Sequence, residues 1–277
     1  MSKKQELVEI SCTIAAVSLR ILSPYEKNHL AKYQVSEKVA LTYGEMPVEY
    51  ITGHVEFLGR DFILTTEALI PRLETEELVA MSVAAAMDLH QLHPSRSLTI
   101  ADVGTGSGAI GISVYLELAE KNISSNVIMS DVSRTALDVA QQNLHRLIAS
   151  EHHQDFSIFF SNVLASYPAD VKIDLLIANL PYIPTSRLNS LEESVIKFEP
   201  VVALDGGNEG LTLIDVLLTQ AQRYLMPTGQ VLLEVDHTHT LEEIIGGHEY
   251  LAGESIFDQF HRQRFMKLFF SRHVVLN

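Results

Sequence analysis

"LTIADVGTGSGAIGISVYLELAE", residues 98–120, decides the fold. Its first residues, "LTIADVG", are apolar enough for a strand covered on both faces. Its last, "GAIGISVYLELAE", carry the apolar spacing of a helix. Gly104, Gly106 and Gly108 lie between them. A strand, a glycine turn and a helix in that order is the opening unit of a parallel α/β sheet. The alternation continues outward. "NVIMSDV" reads as a strand, "RTALDVAQQNLHRLI" as a helix, and "FSIFFSNVL" and "DLLIANL" as further strands. "LTLIDVLLTQAQRYL" then gives a helix and "GQVLLEVDH" a strand. The pattern predicts a mostly parallel sheet with helices on both faces. The ending, "ESIFDQFHRQRFMKLFFS", predicts two strands joined by a polar turn. No internal repeat or low-complexity tract interrupts the order.

Upstream, residues 1 to about 45 read as helical, from the apolar spacing in "LVEISCTIAAVSLRIL" and "VSEKVALTYG", with Pro24 and Gly44 as punctuation. "HVEFLGRDFIL" alternates and turns at Gly59, which predicts a hairpin. "ALIPRLETEELVAMSVAAAM" begins as a loop and becomes a helix. Thr75 suits its N-cap, and Glu76 and Glu77 suit the positive end of its dipole.

Composition excludes several function classes. The 277 residues are 47% hydrophobic and 20% charged, with a formal charge of −15. A field of that sign repels polyanions, and there is no Lys/Arg run, so direct nucleic-acid binding is not expected. Cys12 is the only cysteine, which excludes an internal disulfide and a thiol zinc cluster. The start "MSKKQELVEI" lacks the apolar core of a signal peptide, and no apolar run reaches the length of a membrane span. A soluble cytoplasmic protein with no membrane contact is expected. The histidines suggest no metal: His237 and His239 share one face of a strand end with no third ligand nearby, and His152 and His153 sit in a loop.

The glycine turn is where ligands bind in such sheets, because glycine lets backbone amides approach closely and a helix N-terminus points at the ligand. Asp131 ends the second strand, 23 residues past Gly108. An acid there accepts hydrogen bonds from ribose hydroxyls. Gly106, Gly108 and Gly111 also match G-x-G-x-x-G, so a nicotinamide dinucleotide fits the glycines alone, as does a turn needed only for packing. The surroundings favour S-adenosylmethionine. Asp102 beside the loop suits a ligand with an amino group, Asn162 after the third strand can read an adenine edge, and no second glycine loop follows the fourth strand.

"NLPY", residues 179–182, ends the fourth strand. The Asn179 side-chain oxygen and the Leu180 carbonyl can accept the two N–H bonds of one NH2 group. Pro181 restrains Leu180 to extended conformations and so aims its carbonyl. Tyr182 offers a flat face to a planar substrate. Read alone, the stretch is better taken as a proline-rich turn; together with the glycine loop and Asp131 it favours a site. Arg72, in the Ile-Pro-Arg segment, either anchors a carboxylate of cofactor or substrate or pairs with Glu74 or Glu76. Asp205, Gly206 and Gly207 most simply make a turn, with shaping of a substrate loop as the other reading.

These segments together resemble the release factor glutamine methyltransferases, the HemK-type family. The resemblance rests on "PVEYITGHVEFLGRDFILTTEALIPRLETEELV", "DVGTGSGAIGI", "FEPVVALDGGNEGL" and "GQVLLEVDH", and covers nearly the whole chain. It implies a class I S-adenosylmethionine-dependent methyltransferase domain, a mostly parallel seven-stranded sheet with helices on both faces, over residues 71–277. It also implies a small helical substrate-recognition domain with a hairpin linker over residues 1–70, acting as a monomer. The implied reaction is methylation of the side-chain amide of the glutamine in the Gly-Gly-Gln loop of peptide chain release factors. By position, Gly104, Thr105, Gly106, Ser107 and Gly108 line the cofactor, Asp131 holds its ribose, and Asn162 and Val163 flank its adenine. Asn179, Leu180, Pro181 and Tyr182 bind the glutamine, with Asn179 also beside the cofactor.

Two positions depart from the family pattern. Leu180 stands where a proline is usual, and Asn162 where an aspartate is usual. Asn-Leu-Pro-Tyr resembles the motif of ribosomal RNA adenine dimethyltransferases, and an adenine amine is also a planar NH2 group. The loop therefore does not separate a protein substrate from RNA; the acidic charge and the N-terminal hairpin segment favour protein. A methyltransferase fold that binds without catalysing is the remaining alternative.

Overall fold

The computed structural model describes residues 20–271; the chain divides into two compact units, Met1–Thr52 and Gly53–Asn277.

In the smaller unit, α1 (Pro24–Lys32), α2 (Glu37–Ala40) and α3 (Val48–Thr52) close around Leu22, Leu30, Ala40 and Val48. Pro24 opens a helix here; it does not end one. A proline at the first helical position loses no hydrogen bond, and Ser23 and Glu26 form a capping box around it. The helix expected over "LVEISCTIAAVSLRIL" lies outside the described residues except for residues 20–22, which are not helical.

The larger unit begins with a hairpin, β1 (His54–Phe57) and β2 (Arg60–Ile63). Sequence reading grouped this hairpin with the N-terminal segment, but its hydrogen bonds run into the larger unit. The buried Asn143 side chain accepts from Ile63 N at 2.7 Å and donates to Ile63 O and to Ser107 O, each at 2.9 Å. Glu76 accepts from Leu58 N at 2.7 Å, and Arg60 pairs with Glu117 at 2.8 Å.

After α4 (Leu73–Leu92) come β3 (Leu98–Val103), α5 (Ala109–Glu120), β4 (Ser125–Asp131), α6 (Arg134–Leu147), β5 (Phe156–Phe160) and β6 (Ile173–Ala178). They are followed by α7 (Glu193–Phe198), α8 (Thr212–Tyr224), β7 (Leu225–Glu234), α9 (Leu241–Ile245), β8 (Leu251–Phe257) and β9 (Gln263–Phe270). The seven strands β3–β9 form one sheet in the order β5-β4-β3-β6-β7-β9-β8, with only β9 antiparallel to its neighbours. Every residue of β6 is buried, as a central strand covered on both faces requires. Alternate side chains Ala101, Val103, Leu176, Ala178 and Leu233 pack with Ile214, Leu217 and Ala221 of α8. The chain order reverses between β3 and β6, so the crevice beyond their C-terminal ends is the expected ligand position.

α4 starts two residues earlier than its apparent cap. Arg72, not Thr75, occupies the N-cap, and it makes no side-chain capping bond. Thr75 sits inside the first turn, where its hydroxyl turns to the sheet.

Candidate active site

The strand ends are in register: Val103 pairs with Ser130 on one side and with Ala178 on the other. The loops after β3, β4, β5 and β6 therefore open on one edge. They enclose a cleft of about 270 Å³. Gly104, Thr105, Gly106, Ser107, Asp131, Asn162, Val163, Asn179, Leu180 and Pro181 all line it. Of the residues that the family resemblance assigns to cofactor or glutamine, Gly108 and Tyr182 do not. Gly108 is the N-cap of α5, and Tyr182 lies behind the turn.

The glycine loop is braced from below and from the side. Thr105 N and Gly104 N donate to Ser130 O at 3.0 and 2.8 Å. Asp102 does not face the cleft as expected. It is fully buried, and its Oδ2 accepts from Thr105 Oγ1 at 2.6 Å and from Gly111 N at 2.9 Å. Burial pushes its carboxyl up to about 6, with the charge of Asp131 adding to the rise and the two hydrogen bonds opposing it. Asp131 stands at the cleft wall. Its Oδ2 accepts from Gly106 N at 2.9 Å and its Oδ1 from Ser133 N at 2.8 Å. Burial raises its pKa, against these backbone bonds. Each carboxylate oxygen keeps a further acceptor position. Val163 holds a left-handed backbone, φ 54, which a β-branched side chain adopts only under constraint. Leu164 N, donating to Gln220 Oε1 at 2.7 Å, helps to hold it there.

The turn after β6 is cradled by a later segment. Ile183 N donates to Leu204 O at 3.1 Å, Gly206 N to Ile183 O at 2.8 Å, and Thr185 N to Gly207 O at 2.9 Å. A Cβ at Gly206 would lie 2.7 Å from Pro181 O, so only glycine lets the two segments meet. Asp205 completes the turn by accepting from Thr185 Oγ1 at 2.6 Å and Gly207 N at 3.0 Å. Arg72 reaches the buried Glu199 at 2.6 Å and so ties the Ile-Pro-Arg segment to Phe-Glu-Pro. Pro200, Val202 and Ala203 from the same stretch line the cleft, as do Glu67, Ala68, Leu69 and Pro71.

Behind the turn lies a polar chain that crosses the sequence. Asn179 Nδ2 donates to Thr75 Oγ1 at 3.2 Å, Thr75 Oγ1 donates to Glu234 Oε2 at 2.8 Å, and Tyr182 Oη donates to Glu234 Oε1 at 3.1 Å. Glu234 ends β7 and is 1% exposed. Burial raises its pKa, while Thr75, Tyr182 and the charge of Arg264 oppose that shift. Sequence reading missed Thr75 and Glu234 as site residues. The signal for Glu234 was present: a carboxylate inside "VLLEV" must find buried partners.

His239 is buried, with Nε2 2.9 Å from Glu209 O. Among the described residues no group of three or more His, Cys, Asp or Glu side chains is placed to hold a metal ion, and no helix is long and apolar enough to cross a membrane.

The family model "Methyltransferase small domain" matches residues 81–197. The release factor glutamine methyltransferase of Moorella thermoacetica is 41% identical over 189 residues, 68% of this chain and 62% of that protein. The protein of the same name from Enterococcus faecalis is 38% identical over 202 residues, 73% of this chain and 67% of that protein. The matched stretch thus spans about three fifths to two thirds of these relatives' length. Among solved structures, the hMettl16 catalytic domain in complex with the MAT2A 3′UTR hairpin 1 superposes with a TM-score of 0.57 at 12% identity, over 87% of this chain and 92% of that one. That likeness concerns the fold, the class I methyltransferase sheet. At 38% identity over 67% of the Enterococcus protein, the chain belongs to the family of release factor glutamine methyltransferases.

Proposed function

We propose that this protein transfers a methyl group from S-adenosylmethionine to the side-chain amide nitrogen of the glutamine in the Gly-Gly-Gln loop of peptide chain release factors. One observation carries the reading. Asn179 and Leu180 line the same cleft as the glycine loop and Asp131, and the Asn179 NH2 group is already engaged by Thr75. Its side-chain oxygen and the Leu180 carbonyl are the acceptors the turn offers to an NH2 donor.

The cleft residues fit the cofactor. Gly104 to Gly108 bring backbone close to a bound ligand, Asp131 keeps acceptor positions for two ribose hydroxyls, and the exposed Asn162 offers an oxygen to an adenine amine. When bound, S-adenosylmethionine supplies an electrophilic methyl group on a sulfonium centre. The chain's own contribution is orientation. An amide nitrogen is a poor nucleophile because its lone pair is delocalised. Two acceptors on its N–H bonds favour pyramidal geometry and point the lone pair outward. Positioning and electrostatics carry the step. The apolar wall of Leu69, Pro71, Pro200 and Val202 limits water around it.

The N-terminal residues, 1–70 on the sequence reading, serve in this proposal to recognise the protein substrate, and no nucleic acid is bound directly. The test is incubation with methyl-labelled S-adenosylmethionine and, separately, a release factor and ribosomal RNA. Label is expected in the release factor, on glutamine. Label in RNA alone, or in neither polymer, overturns the reading.

A further inference from the structure

Glu234 sits at the end of β7, and both ends of the turn 179–182 return to it: Tyr182 directly, Asn179 by way of Thr75. The direction of this chain follows from the chemistry of its members. A carboxylate has no hydrogen to give. Thr75 has a single O–H, and Glu234 takes it. Towards Asn179, therefore, Thr75 can only accept. Of the two ends of an amide side chain, only the NH2 end satisfies that acceptor; the reversed amide would set oxygen against oxygen at about 3 Å, an unfavourable contact inside a low-dielectric interior. Both Glu234 oxygens receive a hydroxyl, Thr75 at 2.8 Å and Tyr182 at 3.1 Å, which is the arrangement of a carboxylate; burial works against that ionised state, and the charge of Arg264, 5.6 Å from the Tyr182 ring centroid, works for it.

We propose that Glu234, acting through Thr75, is a positioning residue: it locks the Asn179 side chain with its oxygen towards the cleft and so selects NH2 donors as substrates. The inference rests on the methyl-transfer reading above, but it concerns an orientation that is measurable without turnover. It also gives Thr75 a reason to lie inside α4 when its side chain would make a good cap. Its hydroxyl is engaged with the sheet, and Arg72 takes the cap position without a capping bond.

The experiment compares wild type, Thr75→Val, Thr75→Ser and Glu234→Gln, each with and without Asn179→Ala. Three quantities are measured: single-turnover methyl transfer to a release factor, S-adenosylmethionine affinity by calorimetry, and exchange of the Asn179 side-chain NH2 protons by nitrogen-15 NMR. The NMR signals are assigned by their loss in Asn179→Ala. Thr75→Val and Glu234→Gln are expected to slow transfer about ten- to a hundredfold with cofactor affinity unchanged, and Thr75→Ser to restore most of that rate. In the Asn179→Ala background, Thr75→Val is expected to add no more than about twofold, because its effect runs through Asn179. One Asn179 NH2 proton is expected to exchange slowly in wild type and Thr75→Ser, and rapidly in Thr75→Val. Effects that simply multiply with Asn179→Ala, or protection unaltered in Thr75→Val, overturn the inference. A wild type that shows the protected proton but methylates no release factor overturns the functional reading instead and leaves the orientation established.

Discussion

Leu180 closes over Gly104: a Cβ added to Gly104 would lie 2.9 Å from Leu180 Cδ2. The turn 179–182 and the glycine loop are thus in direct contact, through the one residue of "NLPY" that departs from the family pattern. Leu180 is buried and belongs to the sheet's hydrophobic core.

Leu180→Pro is expected to keep its carbonyl and its extended backbone, and so to retain methyl transfer within about threefold. It loses buried side-chain atoms, at a cost on the order of 1–2 kcal/mol in stability. Gly104→Ala is expected to be worse, since Gly104 has φ +74 and the new methyl meets Leu180. Part of that loss should be relieved in the double variant, where the clash is gone but the backbone conformation is not. Thermal unfolding and single-turnover kinetics of the four proteins check this; a Gly104→Ala defect unchanged by Leu180→Pro refutes the contact.

Asn179→Ala is expected to lower kcat by on the order of 10²–10³, the scale of losing one preorganised polar contact in the transition state. S-adenosylmethionine affinity should barely change. An unaltered transfer rate would reduce the stretch to a turn.

Much of this architecture was legible because its signals are local. The strand-and-helix alternation from Leu98 onward needs only apolar spacing, and Gly104 to Gly108 stand between a strand and a helix wherever the rest of the chain goes. What was not legible depends on residues far apart in sequence. Thr75 read as a cap because serine and threonine favour that position, but Glu234, 159 residues away, takes its hydroxyl. Arg72 read either as an anchor for a ligand carboxylate or as a partner of Glu74 or Glu76; the partner it meets in Glu199 lies 127 residues on. The hairpin read as part of the N-terminal segment because a single sequence does not reveal that Asn143 would hold it. Asp102 read as a ligand contact because it adjoins the loop; its burial comes from packing beneath that loop.

Asp131→Ala is expected to weaken S-adenosylmethionine about ten- to a hundredfold, the scale of a lost charge-assisted hydrogen bond. The structure adds a second effect. Asp131 also accepts from Gly106 N and Ser133 N, so its removal loosens the cleft wall and lowers stability. Asp131→Asn should separate the two by keeping one acceptor for the backbone. Calorimetric titration, with NADH as a control ligand, gives the answer; NADH binding without S-adenosylmethionine binding ends the methyltransferase reading.

A chain beginning at Gly53 is expected to keep cofactor affinity and lose methylation of intact release factor. The cut belongs there and not at Pro71. Removing residues 53–70 would strip Asn143, which is fully buried, of both its Ile63 partners, at roughly 1–3 kcal/mol for each polar group left unsatisfied. Methylation at the wild-type rate by the Gly53 chain would remove substrate recognition from the N-terminal unit.

Asp102 has a folded-state pKa raised from 3.8 to about 6, with burial as the leading cause. A carboxyl whose pKa is raised on folding binds its proton more tightly in the native state. Its contribution to stability is therefore present below the unfolded value and is lost as pH rises through the folded one. Between pH 5 and 7.5 that loss is on the order of 1–2 kcal/mol. Asp102→Asn is uncharged throughout, and its side-chain oxygen can still accept from Gly111 N. Subtracting the variant's unfolding free energy from the wild type's cancels the titration of the other carboxylates. The difference should fall as pH rises across this window and level off above about pH 7. A difference that stays flat would mean that Asp102 ionises near its ordinary value and that the brace beneath the glycine loop is a charged one at every working pH.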